Sequence, residues 1–291
     1  MNLKKIIRQA IDLHVHIGPE IIPRKFTLAE LIKDQRGKIK AIGVKNHFFP
    51  TVAMASRGAF KSLSPRIIFS VALNQYVGGF NDKIITAVAE LSQRPIIVWF
   101  PTISAANILR KQKYEIPPEW SKGKLKIKNQ RLEGYSICHD QRLKPEVLSV
   151  LKAIKNYNAI LATGHISSQE SQILVRRAVQ LGIKRIIVTH PIYQKINMSL
   201  GLQKELADRG AYIEQCYSMY SIDKIPISKI ARQIKVIGAD RCILSSDMGQ
   251  VFSKSPDQAL LDFTHLLIQE GITLREIKTM LVSNPAKLIS R

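Results

Sequence analysis

Short runs of nearly continuous Ile, Val, Leu and Ala recur along the chain, at residues 11–16, 41–47, 66–73, 95–100, 159–165, 185–190, 211–216 and 241–247. Runs this short and this apolar predict strands buried on both faces, as in a parallel sheet. Their starts are 25 to 30 residues apart, except for a 64-residue step between the fourth and fifth. The usual step holds one strand, one crossover helix and two loops. Between the runs the pattern turns amphipathic. Over 144–155, Leu148, Leu151 and Ile154 make one stripe and Pro145 sits near the helix start. Over 168–181, Ser167, Ser168 and Glu170 open a helix whose stripe is Ile173, Leu174, Ala178 and Leu181, and Gly182 follows as its cap. Gly210 and Gly238 stop their helices in the same way, and a last helix over 273–281 precedes Asn284-Pro285.

Eight such units predict a (β/α)₈ TIM barrel, with 1–291 as one domain and an insertion at about 113–140 inside the long step. The competing open doubly wound sheet lacks its phosphate fingerprint: no GxGxxG follows the first strand, and Gly78-Gly79 after the third has neither the spacing nor the place.

Composition narrows the setting. No apolar run is long enough to cross a bilayer, and Met1-Asn2-Leu3-Lys4-Lys5 is not followed by a leader-like apolar segment, so the expectation is a cytoplasmic protein without a membrane partner. Cys138, Cys216 and Cys242 are odd in number and far apart, which predicts no disulfide framework. Lys and Arg number 44 against 22 acidic residues, a formal charge of +22. That charge can attract nucleic acid or an anionic metabolite. It is spread from end to end, however, with its densest stretch between Lys111 and Arg131, so a dedicated nucleic-acid module is not expected.

Polar residues gather where the predicted strands end. The first reads IDLHVH, which puts His14 and His16 on one side of an extended chain. The fifth runs to His165, the sixth to His190 and the eighth to Asp247. Barrel closure brings all C-terminal strand ends to one rim, so these five residues become neighbours. Neutral imidazoles and a carboxylate are the donors that transition ions take, and a buried carboxylate is stabilised by facing a cation. Lys45 and His47 end the second strand; Lys45 can hold an anionic group or, if carbamylated, a metal. Asn74 after the third strand, Glu214 in the seventh and Arg24 after the first can orient substrate or a ligand histidine. His139 in the insertion and His265 within a helix stand outside this set, and no GxSxG elbow or P-loop is present.

The ordered set resembles the amidohydrolase superfamily. That resemblance implies a metal-bearing barrel in which His14 and His16 form the first-strand pair, His165 and His190 the two single histidines, and Asp247 the final carboxylate. DLHVHIGPE, VKNHFFPT, VWFPTISA, LATGH, VTHP and SSDMGQ are similar to one of its poorly characterised subgroups. One departure stands out. Many two-metal relatives carry a bridging carbamylated Lys or Glu at the end of the fourth strand, where this chain has Trp99 and Pro101. Either one ion is bound, or Lys45 or Glu214 compensates; His190 is then a ligand or a group that orients water or a carbonyl.

The expected chemistry is hydrolysis of a small anionic lactone, amide or phosphoester by a water activated on one divalent ion, Zn before Mn, Ni or Fe. Asp247 would move the proton, and Lys45 or Arg24 would select the anion. The alternatives are a metal-dependent decarboxylase, a metal-dependent nuclease and a non-catalytic metal-containing binding protein.

Overall fold

The computed structural model describes residues 2–55, 64–92, 95–111 and 134–290. Eight parallel strands form at the eight apolar runs: β1 Ile11–His16, β2 Ala41–Lys45, β3 in two parts (Arg66–Ile68 and Ser70–Ala72), β4 Ile97–Trp99, β5 Ile160–Ala162, β6 Ile186–Val188, β7 Tyr212–Cys216 and β8 Cys242–Ser245. Neighbours in sequence are neighbours in the sheet throughout. β3 breaks at Phe69, where Thr51 Oγ1 takes the Ser70 N–H at 2.7 Å in place of β2. The ring closes just past β8, where Asp247 N donates to His14 O at 2.9 Å and His16 N donates to Met248 O at 2.7 Å. The architecture is a (β/α)₈ barrel.

Two apolar layers hold it. Inside the barrel, Ile11, Leu13, Ala41, Ile68, Ile97 and Trp99 pack with residues of β5 to β8. Outside, the alternate strand residues pack on the helices, among them Pro145–Asn156 and Ser168–Gln180, both within one residue of the predicted spans. Ser167 and Glu170 form the expected capping box.

Three elements differ from expectation. A helix, Leu3–Gln9, precedes β1 and is capped by Asn2, whose side chain accepts from Lys4 N. The last helical segment does not end before Asn284-Pro285: Leu274–Lys278 runs through a wide turn, Thr279–Ser283, into Asn284–Ile289. Pro285 is tolerated because it stands in a first turn, where its missing N–H is not needed. This segment carries Leu288 and Ile289 into the barrel interior and so plugs its floor. Six of the eight strands also stop one to three residues before their apolar runs do, which leaves His47, His165, His190 and Asp247 on the loops just above the sheet.

Of the expected insertion, residues 113–133, with most of the Lys-rich stretch and Trp120, lie outside the described residues. Its final part returns as Tyr135, paired to Ser104 and Ala106, and a small hairpin, Cys138–His139 with Arg142–Leu143. No helix among the described residues is long and apolar enough to cross a membrane.

Candidate metal centre

The site begins with an irregularity in β1. Asp12 pairs with Ile42 and Val15 with Val44, so Leu13 and His14 together oppose Gly43. One extra residue of this kind is a β-bulge, and it changes which face the following side chains take. Ile11 and Leu13 point into the barrel, whereas Val15 and Ile17 pack outward on the helices. His14 and His16 are thereby turned into the barrel mouth. Asp12 Oδ1 secures the bulge by accepting from His14 N at 3.2 Å and from Ser246 N, beyond β8, at 3.1 Å. Gly43 makes room for it: a Cβ there would lie 2.6 Å from Leu13 O.

The far side of the site is the turn after β8. Asp247 has φ 54°, a left-handed conformation unusual for a residue with a side chain. The turn lies so close over β1 that a Cβ on Gly249 would meet His16 O at 2.2 Å. Asp247 Oδ1 stands 3.1 Å from His14 Nε2 and 3.0 Å from His16 Nε2, and Oδ2 accepts from Ser218 Oγ at 2.6 Å. Behind His14, Glu214 Oε2 is 3.2 Å from Nδ1. A carboxylate that accepts from Nδ1–H would leave the Nε2 lone pair facing Asp247.

Lys45, fully buried, reaches the same point from β2: its Nζ is 3.0 Å from His14 Nε2 and 4.4 Å from the centre of the Trp99 ring. Trp99 itself packs on His14 with ring centres 4.5 Å apart. The fourth strand thus contributes an apolar floor where a bridging ligand would otherwise stand. His190 stacks 5.7 Å from His14, and His165 is one ring further out, 5.0 Å from His190.

Among the described residues, donor atoms converge in three groups: His14, His190 and Asp247; His14, Glu214 and Cys216; and His16, Glu20 and His47. The first joins three residues expected from the sequence. His16 touches it through Asp247, while His165 stays outside all three groups. Arg24 does not stand free at the mouth: its Nε donates to Glu20 Oε2 at 2.6 Å. His47 N donates to Glu20 Oε1, and His47 Nδ1 is 2.9 Å from Thr102 Oγ1. Asn74 spends its amide within the protein, donating to His47 O and Thr102 Oγ1 and accepting from Thr102 N and Ser104 N. Sequence reasoning overlooked Asp12, Glu20, Thr102 and Ser218. Glu20 alone carried a signal, as a carboxylate four residues after His16 in the first βα loop. His139 and His265 are exposed and remote from the site.

Charge states suit a cation. Burial, then the Arg24 charge, holds His16 well below the usual histidine range; burial and neighbouring imidazoles do the same for His47 and His165. Burial brings His190 down to about 4 and Lys45 down to about 8. Burial works against the Asp247 and Glu214 charges, but the facing His14, with the hydrogen bonds of His16 to Asp247 and of His14 to Glu214, outweighs it and holds both below the usual carboxylate range. His190 Nδ1 is buried without a hydrogen-bond partner. Neutral imidazoles, an ionised carboxylate and an orphaned ring nitrogen form a donor set that fits a divalent transition ion.

The (β/α)₈ fold of this chain, with candidate donors at the β1, β6 and β8 ends, is shared with several solved structures. An amidohydrolase from Pseudomonas aeruginosa superposes with a TM-score of 0.63 at 12% identity, over 98% of this chain and 97% of that one. A probable dipeptidase, PvdM, from the same organism gives 0.60 at 12%, over 98% and 96%. A probable 2-pyrone-4,6-dicarboxylic acid hydrolase from Acinetobacter baumannii, solved with citric acid bound, gives 0.55 at 13%, over 96% and 98%. Residues 9–214 match DUF6282, described as a family of unknown function, and the chain belongs to that family. Comparison with curated proteins by sequence gives no match.

Proposed function

We propose that this chain is a metal-dependent hydrolase acting on a small anionic substrate, with one ion, zinc before manganese, nickel or iron. The observation that carries the reading is the convergence of His14 Nε2 and His16 Nε2 on Asp247 Oδ1 within 3.1 Å. Three lone-pair atoms brought this close are stabilised by a shared cation. His14, His16, His190 and Asp247 would hold the ion, with His165 beside His190. Such an ion supplies Lewis acidity and brings a water's pKa toward neutrality.

The chain's own residues do the rest. Asp247 is ionised and can take the proton of the attacking water and pass it to the leaving group. Ser218 fixes the direction of its carboxylate by donating to Oδ2. Lys45 offers a buried donor above Trp99, where low local polarity strengthens a hydrogen bond. The Arg24–Glu20 pair and His47 line the entrance, and Asn74 positions Thr102 against His47. Decarboxylation would use the same cation and the same anion site, so the product is the discriminating measurement.

The test is a screen of zinc-loaded protein across lactones, amides and phosphoesters, followed by Asp247→Asn at matched metal occupancy. Expected is a loss of about 10²-fold or more in kcat. Near-wild-type turnover by the variant would remove Asp247 from proton transfer. Release of CO₂ without uptake of water would replace hydrolysis by decarboxylation.

A further inference from the structure

From the loops around the mouth we infer the substrate class: an anionic head joined to an apolar tail, the tail lying on a hydrophobic rim above the metal centre. This rests on the proposed reading that the head enters the barrel.

The loops after β1, β2 and β4 alternate in character. Glu20, His47 and Thr102 turn toward the site and bond to one another, as described. Their chain neighbours Ile22, Phe48 and Ile103 turn the other way and form a buried apolar cluster, separate from both layers of the core, with Ile21 packed against it. The polar entrance is therefore backed by an apolar lobe. That lobe continues to the surface, where the Tyr76 ring packs on Phe48 with centres 4.5 Å apart.

Exposed large apolar residues concentrate at the same end of the barrel. Phe49 is 54% exposed, Tyr76 38%, Val251 50% and Phe252 71%. They stand on the loops after β2, β3 and β8. The β8 loop is held beside the β1 loop by Lys25 N donating to Gly249 O at 2.8 Å and by the Lys25 ammonium donating to Ser253 O. The other exposed large apolar residues among those described, Leu91, Val179 and Val236, occur singly on outer helices. Single apolar residues on a surface need no explanation, whereas a group around one opening marks a binding region. Because the group stands on loops at the barrel mouth, above a buried lysine and a buried Arg–Glu pair, the matching ligand is polar at one end and apolar at the other.

The experiment is calorimetric titration of zinc-loaded protein with straight-chain carboxylates from butanoate to decanoate. Affinity should rise about two- to four-fold for each added methylene. Phe49→Ser and Phe252→Ser, both on the exposed rim, should flatten that rise and leave butanoate affinity within about two-fold. A flat series, absence of carboxylate binding, or a rise that both variants retain would overturn the inference. So would conversion of a dimer to a monomer by the variants in size-exclusion chromatography, since the rim would then cover a second copy of the chain. The hydrolase reading fails separately: an intact length dependence without turnover of any ester or amide sinks that reading and leaves this one. Turnover indifferent to chain length does the reverse.

Discussion

Glu214 and His14, 200 residues apart in sequence, meet face to face inside the barrel, with both carboxylate oxygens within 3.3 Å of Nδ1. β7 thus acts on the centre through β1. An imidazole so held presents one defined nitrogen to a cation and keeps its ring from rotating. The Glu214 carboxylate also accepts from His190 N at 3.4 Å, which ties the sixth strand's histidine to the same anchor.

Glu214→Gln keeps the shape and removes the charge. The expected outcome is a 10- to 100-fold weaker metal affinity with little change in metal-free stability, read by competition with a chelator. Wild-type affinity in the variant would show that His14 is oriented by its packing on Trp99 instead.

Removing the ion should lower stability, because a ligand bound only to the folded state stabilises it by mass action, about 3 kcal/mol at a hundredfold excess over Kd. For a domain of this size that is a fall of about 5–10 °C in Tm on exhaustive chelation. Elemental analysis should give near one ion per chain, since Trp99 stands where a bridging ligand would support a second. Two ions per chain would assign Lys45 or Glu20 a ligand role.

Gly43→Ala tests the bulge. The added methyl would lie 2.6 Å from Leu13 O and 2.9 Å from Ile97 Cδ1, and the first neighbour is backbone that cannot rotate away. The expected cost is about 1–3 kcal/mol by urea unfolding, accompanied by weaker metal binding because His14 moves with Leu13. A destabilised variant with unchanged affinity would separate the bulge from the aim of His14.

The barrel was legible because its strands are buried on both faces, so apolar runs and their spacing mark them without help from tertiary contacts. That His14, His16, His190 and Asp247 stand together at one mouth was legible because barrel topology alone brings strand ends together. The bulge was not: strict alternation puts His14 on the face opposite Leu13, and only the pairing of two residues with Gly43 shows why both point inward. Glu20 was hidden for another reason. Its role depends on how the first loop folds back over His47, and loop conformation has no periodic signature. The terminal helix was misread because Pro285 signals a stop in sequence but a first turn in the fold.

Asp12 gives a prediction whose sign follows from its surroundings. Its side chain is buried at the bulge; Oδ1 accepts two backbone N–H groups, while Oδ2 has no partner. Burial raises its pKa to about 7, against the smaller opposing effect of the hydrogen bonds from Ser246 and His14. The folded protein therefore keeps a proton that the unfolded chain releases near pH 4, and wild-type stability falls as pH rises from there to 7. Above pH 7 the whole penalty is present. Asp12→Asn keeps the Oδ1 acceptor and abolishes the titration, so the variant should gain on the wild type by about 3 kcal/mol between pH 5 and pH 8. Any fixed cost of placing an amide nitrogen where Oδ2 stood is the same at both pH values and drops out of that difference. Urea unfolding of the metal-free proteins at the two pH values measures it. A stability difference independent of pH would mean that Asp12 is already ionised at pH 5 and is held so by the two N–H groups of the bulge.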